Sequence, residues 1–281
     1  MNPFETLSHV QKQYLSYVHT FQKFLNPAIQ SWVKERVEAG ALLWKEPYVE
    51  VTRPFAAGES FADLVGAGLL HPATPAVFTA TPGNRAAPPV HLYQHQSASI
   101  RSLLGGHNTV VATGTGSGKS FCFAVPIVSE ALRQRDQHVR GIKAVIVYPM
   151  NALANSQYED LARRLAGSGL TLCLYTGDTP NSPTAALAQY QQVYGRDTPF
   201  DSEVLSRDEI RERLPDILLT NYVQLELLLT RFEDRKLFPP SMRGVLRFLV
   251  LDEIHTYTGK RGADVACLIR RLKQHTGTTG T

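Results

Sequence analysis

Two short stretches carry residue types that can do chemistry together. "TGTGSGKS", residues 113–120, follows an apolar, β-branched run at 109–112 and precedes a second apolar run that reads as a helix. Glycines at 114, 116 and 118 let successive backbone N–H groups face an anion without side-chain clashes. Lys119 supplies a cation able to reach the β- and γ-phosphates of a nucleoside triphosphate, and the Ser120 hydroxyl can ligate Mg²⁺. A helix start adds partial positive charge at the same point. The expected triphosphate cradle is therefore Thr113, Gly114, Thr115, Gly116, Ser117, Gly118, Lys119 and Ser120, with Thr113 standing where the strict pattern has glycine. The second stretch, "RFLVLDEIHTYTG" at 247–259, predicts a buried strand that delivers Asp252 and Glu253 at its carboxyl end. Ligands collect at that end of parallel α/β sheets. Asp252 is expected to hold the Mg²⁺, usually through water, while Glu253 orients or deprotonates the attacking water. Lys119, Asp252 and Glu253 form the expected catalytic set, and Ser120 and Asp252 the metal ligands. His255 either couples this site to the rest of the molecule or simply hydrogen-bonds locally.

These groups need a scaffold that brings two strand ends together. From about residue 91, apolar stretches at 109–112, 143–148, 170–175, 216–220 and 247–251 alternate with helical patterns at 92–104, 119–133, 151–166, 222–231 and 262–274. That alternation predicts right-handed crossovers, a parallel sheet and helices on both faces. The stretch 177–206 interrupts the pattern and is long enough to carry a short helix near 184–194. Upstream, residues 4–39 read as helical, broken at Pro27 and resuming to Gly40. Prolines at 47, 54, 72, 75, 82, 88 and 89 make 41–90 irregular, apart from a helix at about 60–67 capped by Ser60. The division expected is an accessory region, 1–90, followed by a triphosphate-binding α/β domain, 91–281. The accessory region reads either as a helical brace for the domain or as a partner-binding or autoinhibitory module.

Composition bounds the rest. The 281 residues are 43% hydrophobic with a net charge of +4, enough for a packed core and too mild for a strong electrostatic footprint. Cys122, Cys173 and Cys267 form no C-x-x-C pair and read as reduced, buried thiols. No basic-then-apolar leader opens the chain, and no apolar run approaches the roughly 20 residues of a membrane helix. A cytoplasmic protein with no membrane partner is expected.

With these residues in view, the sequence resembles superfamily 2 DEAD/DEAH-box helicases over about 91–275. "DEIH" resembles the family's signature box and "LYQHQ", 92–96, its Q motif. The resemblance implies a RecA-like fold, ATP and Mg²⁺ as cofactors, and Gln96 as reader of the adenine edge; its amide can donate and accept at once. Tyr93 packs nearby or belongs to the core. "VYPMNALANSQ", "TGDTP" and "DILLTNYVQLELLL" resemble the family's strand-contacting motifs. They imply that Pro149, Asn151, Gly177, Asp178, Thr220 and Asn221 meet the nucleic-acid backbone at three helix starts along one sheet edge. "YPMNALAN" and "DEIHTYTGKRGADVA" look like large bacterial helicases of repair and of anti-phage defence, of DISARM or Druantia type.

The resemblance implies an ATP-dependent helicase or translocase acting on DNA, with RNA not distinguished, as a single strand or a duplex with a single-stranded end. The family continues with a Ser-Ala-Thr motif and a second RecA-like domain bearing arginine fingers, whereas this sequence stops soon after its DEIH box. The expectation is thus a first motor domain, inactive alone, whose partners are the rest of its own polypeptide and defence-system or repair proteins. A nucleotide-gated scaffold that organises such a complex without unwinding is the alternative. A P-loop ATPase for protein or transport substrates is disfavoured, having no use for Gln96 or the strand-contacting motifs.

Overall fold

The computed structural model describes residues 2–21, 24–39, 54–114 and 116–278. Thr115 of the cradle, Gly40 at the expected helix end and the irregular stretch 41–53 lie outside the described residues. Two compact units result, Met1–Pro54 and Phe55–Thr281. The first holds α1 (Pro3–Phe21) and α2 (Pro27–Glu38). Asn26 starts α2 by accepting from the Ala28 and Ile29 amides, and Pro27 sits at the first helical position, where its missing N–H costs nothing. The proline read as a break is also the start of the next helix.

The second unit is built on a five-stranded, wholly parallel sheet. Its strands are β1 (Ala144–Val147), β2 (Leu172–Tyr175), β3 (Glu203–Val204), β4 (Ile217–Thr220) and β5 (Phe248–Leu251), in the order β3-β2-β4-β1-β5. Alternate residues feed opposite faces. On one face Ala144, Ile146, Leu172, Ile217 and Leu219 join the buried side chains of α3 (Phe61–Gly66), α4 (Gln94–Leu104), α5 (Lys119–Asp136) and α6 (Asn151–Leu165). On the other, Val145, Val147, Cys173, Tyr175 and Leu218 join α8 (Arg207–Arg213), α9 (Tyr222–Thr230) and α10 (Gly259–Thr276). Each fully buried Ile or Leu in these layers contributes about 1.5–3 kcal/mol. α7 (Pro183–Tyr194) lies between β2 and β3 in the chain, close to the expected span.

Three expectations are corrected. Residues 55–90 belong to the compact α/β unit, because Phe61, Leu64, Leu70, Val77 and Phe78 are buried in the same core cluster as the sheet. The helix expected there forms, with Ser60 and Asp63 exchanging a reciprocal capping box. Second, 109–112 is not a strand: Val110 is 77% exposed, and among the described residues nothing pairs with this segment. β-branched residues favour extended backbone, but a strand also needs a hydrogen-bonded neighbour. β5, paired with β1 alone, is only half-buried. Third, Cys122 and Cys173 are buried as expected, but Cys267 is exposed on α10. No helix among the described residues is long and apolar enough to cross a membrane.

Candidate nucleotide and nucleic-acid site

In register, Val147 of β1 lies opposite both Thr220 of β4 and Leu251 of β5, and Tyr175 of β2 lies opposite Thr220. Four strands therefore end level, and the segments that follow them share one edge. That edge carries Asp252, Pro149–Asn151, Gly177–Asp178 and Asn221.

The cradle wraps the start of α5. Gly116 and Gly118 take positive φ angles of 76° and 70°, which a side chain would disfavour. A Cβ at Gly118 would also meet Gln96 Nε2 at 2.6 Å. Lys119 Nζ donates to the Thr113 and Gly114 carbonyls at 2.8 and 3.2 Å, so the loop is folded around its own lysine. Thr113 Oγ1 and Ser117 Oγ lie 2.7 Å apart, which gives the non-glycine residue at 113 a local role. The Ser120 hydroxyl donates to Gln157 Oε1 at 3.1 Å.

Gln96 is placed differently from the expectation. It is 2% exposed; its Oε1 accepts from the Tyr93 amide at 2.8 Å, and its Nε2 donates to the Gly118 and Ser117 carbonyls at 2.9 and 3.4 Å. Both functions of the amide are spent inside the chain, joining the start of α4 to the cradle. Reading adenine would require giving these bonds up. His95 Nε2 lies 3.0 Å from the Ser117 carbonyl, and the Tyr93, His95 and Phe55 rings contact one another. Tyr93 is thus part of an aromatic group flanking the cradle.

Asp252 and Glu253 follow β5. The Glu253 amide donates to Asp252 Oδ1 at 3.0 Å, and the Asp252 amide donates to the Val147 carbonyl at 3.0 Å. Glu253 has φ 48°, a left-handed conformation costly for a residue with a Cβ and typical of functional turns. Burial pushes the Asp252 carboxyl above its usual range and the Glu253 charge adds to this, while the Glu253 amide and the Lys119 ammonium pull it back. The Lys119 effect links the two motifs: the carboxylate at one strand end feels the cation of the cradle. A hydroxyl, an ammonium, a partly buried carboxylate and open glycine amides make a donor set suited to Mg²⁺ and a triphosphate. His255 Nδ1 lies 3.2 Å from Glu253 Oε2 and its side chain is 76% exposed, a local contact at the surface.

Along the same edge, α6 starts at Asn151 after Pro149 and Met150, with no side-chain cap on its first amides. Asn221 caps α9 by accepting from the Gln224 amide at 2.8 Å and donates to Asn151 Oδ1 at 3.0 Å, so these two helix starts touch. Thr220 is fully buried and donates its hydroxyl to the Tyr175 carbonyl; its side chain positions Asn221 and cannot meet a ligand itself. Gly177 and Asp178 are exposed but begin no helix, since α7 starts only at Pro183. The edge thus presents two helix starts, not three. Asp178 places a carboxylate beside them, and the Arg207 guanidinium donates to the Thr176 and Gly177 carbonyls next to it.

Sequence reasoning missed Gln157, six residues beyond the start of α6, and the cradle-holding role of Gln96. The quoted stretch "VYPMNALANSQ" ends on Gln157, but nothing in its spacing indicates that it would reach Ser120.

The DEAD/DEAH box helicase family matches residues 93–281. Curated relatives include Druantia protein DruE of Escherichia coli (strain UMEA 4076-1), 30% identical over 64% of this chain and 15% of DruE. The ATP-dependent helicase YprA of Bacillus subtilis (strain 168) is 27% identical over 65% of this chain and 20% of YprA. Among solved structures, the DUF1998 helicase MrfA bound to DNA and AMPPNP superposes with a TM-score of 0.54 at 23% identity, covering 83% of this chain and 27% of MrfA. Mss116p bound to single-stranded RNA and AMP-PNP gives 0.53 at 18%, covering 79% and 40%. These structures bear on the fold, which is the RecA-like helicase fold. This chain, spanning about a fifth or less of the two curated relatives, belongs to the DEAD/DEAH box helicase family.

Proposed function

We propose that this chain is an ATP-dependent motor module that binds Mg²⁺–ATP between the 113–120 cradle and the Asp252–Glu253 pair, and grips a nucleic-acid backbone along the adjoining sheet edge. The observation that carries this reading is geometric: Asp252 follows β5 at the level sheet edge with its amide bonded to the Val147 carbonyl, and the positive-φ glycines 116 and 118 form the loop that opens α5 around Lys119. Mg²⁺, which Ser120 and Asp252 would hold, would supply neutralisation of the charge that develops in phosphoryl transfer. Lys119 would leave its loop carbonyls to meet phosphate, Ser120 and Asp252 would hold the metal, and Glu253 would position water. The uncapped amides of α6 and the start of α9 meet phosphates without reading bases.

DNA is the favoured strand, by likeness to the MrfA structure, which is bound to DNA. Service in an anti-phage system follows from likeness to DruE and belongs to the same proposal. In this class of phosphoryl transfer an arginine finger supplied from elsewhere is worth about 10³–10⁵ in rate. The 281-residue chain by itself is proposed to bind nucleotide, hydrolyse it slowly and unwind nothing. Titration of a fluorescent ATP analogue with Mg²⁺ tests the core of this reading. Saturable binding should weaken about tenfold or more in Lys119→Ala, a loss of about 1.4 kcal/mol. Equal binding by that variant would place the nucleotide elsewhere.

A further inference from the structure

One helix is tied to both halves of the proposed machinery. At its start, Asn151 of α6 accepts from Asn221, the cap of α9. Six residues on, about 9 Å along the axis, Gln157 accepts from Ser120 at the start of α5. Between and beyond them Ala154, Tyr158, Leu161, Ala162 and Leu165 are buried against the sheet, so α6 shifts as a rigid rod if it shifts at all.

The chemistry of the Ser120 contact is directional. A serine hydroxyl has one proton and two lone pairs. With the proton given to Gln157, the lone pairs are left for a cation; without that acceptor the hydroxyl rotates freely and aims its proton at the metal part of the time. A displacement of α6 by a strand bound at Asn151 changes this bond, and a metal held at Ser120 biases the position of α6 in return. Such coupling is reciprocal by necessity.

We infer that Gln157 is a positioning residue that couples the Ser120 metal site to the strand-contacting starts of α6 and α9. This rests on the assignment of Ser120 to Mg²⁺ and of the α6 start to phosphate made above. Neither end of the link requires Gln157 to touch nucleotide or nucleic acid.

The test uses the full chain, fluorescein-labelled oligothymidylate, and AMPPNP with Mg²⁺ varied. In the parent, saturating Mg²⁺–AMPPNP should tighten strand binding about fivefold or more. In Gln157→Ala that ratio should fall towards one, with strand affinity in the absence of nucleotide kept within about twofold. The Mg²⁺ concentration for half-maximal nucleotide binding should rise about fivefold, and Gln157→Glu, which keeps an acceptor at the same reach, should restore it. Gln157→Leu, close in volume, repeats the measurement should alanine loosen the packing of α6. An unchanged ratio in both Ala and Leu variants overturns the coupling while leaving the motor reading intact. Equal strand weakening with and without nucleotide makes Gln157 merely structural and also overturns it. A parent that binds no nucleotide refutes the motor reading and the coupling together.

Discussion

Replacing Gln96 separates a residue that holds the cradle from one that reads a base. Gln96→Ala removes two well-formed hydrogen bonds, to the Tyr93 amide at 2.8 Å and the Gly118 carbonyl at 2.9 Å, and a weaker one to Ser117 at 3.4 Å. At about 0.5–1.5 kcal/mol net for each good bond, and with buried partners left unmatched, the loss comes to about 2–4 kcal/mol of folding stability. Urea denaturation at pH 7.5 measures this directly. Gln96→Glu sharpens the test: one oxygen still accepts from Tyr93, while the other faces the Ser117 and Gly118 carbonyls with no proton to give. The introduced carboxyl, buried against carbonyls, has its pKa raised in the folded state. Its destabilisation is therefore fully present above the folded pKa and disappears as pH falls below the unfolded value near 4.3. Gln96→Glu should regain stability relative to the parent between pH 7.5 and 5, whereas Gln96→Ala should not. Both variants should weaken ATP and GTP binding alike. A Gln96→Ala protein within about 0.5 kcal/mol of the parent that loses only its preference for ATP would refute the reasoning and restore adenine reading.

Lys143 and Asp216 form an ion pair of 2.7 Å at the amino ends of β1 and β4, only 3% and 13% exposed, and Asp216 also accepts from Thr171. Lys143→Met leaves that carboxylate buried without its cation and should cost about 3–5 kcal/mol in denaturant unfolding; a cost under 1 kcal/mol would mean water reaches the pair. Burial pushes the Tyr175 hydroxyl up to about 12, helped by its bond to Asp234, and the Tyr194 hydroxyl up to about 12, helped by the charges of Glu203 and Glu159. Folded values above the unfolded value near 10 mean stability is complete below pH 10 and falls as pH rises towards 12. Unfolding free energies at pH 8, 9.5 and 11, followed with tyrosinate absorbance, should show that fall; a flat profile would contradict the burial of these rings.

Much of the site was legible because its local chemistry is written in adjacent residues. The Ser60 cap and the glycines of the cradle each follow from three or four neighbouring positions. What escaped depends on distant partners. The run at 109–112 has the composition of a strand, but composition cannot say whether a neighbour is there to bond it. β3 has two residues, too few to show a period, and it forms because Leu172 and Cys173 offer an edge. Thr220 and Asn221 were found together, yet a register contact to Tyr175 assigns one to the core and leaves the other at the surface. Gln96 and Gln157 lie in recognisable motifs, but only the tertiary fold shows which atoms their amides meet.

The central claim is that cradle and acid pair serve one Mg²⁺–triphosphate. A crystal structure of the chain grown with AMPPNP and Mg²⁺ tests it most directly. The claim predicts Lys119 drawn from the Thr113 and Gly114 carbonyls onto phosphate, the metal about 2.1 Å from Ser120 Oγ, and Asp252 within reach of the metal through one water. Nucleotide seated away from Gly114–Ser120, or a metal whose shell excludes both Ser120 and Asp252, would contradict it.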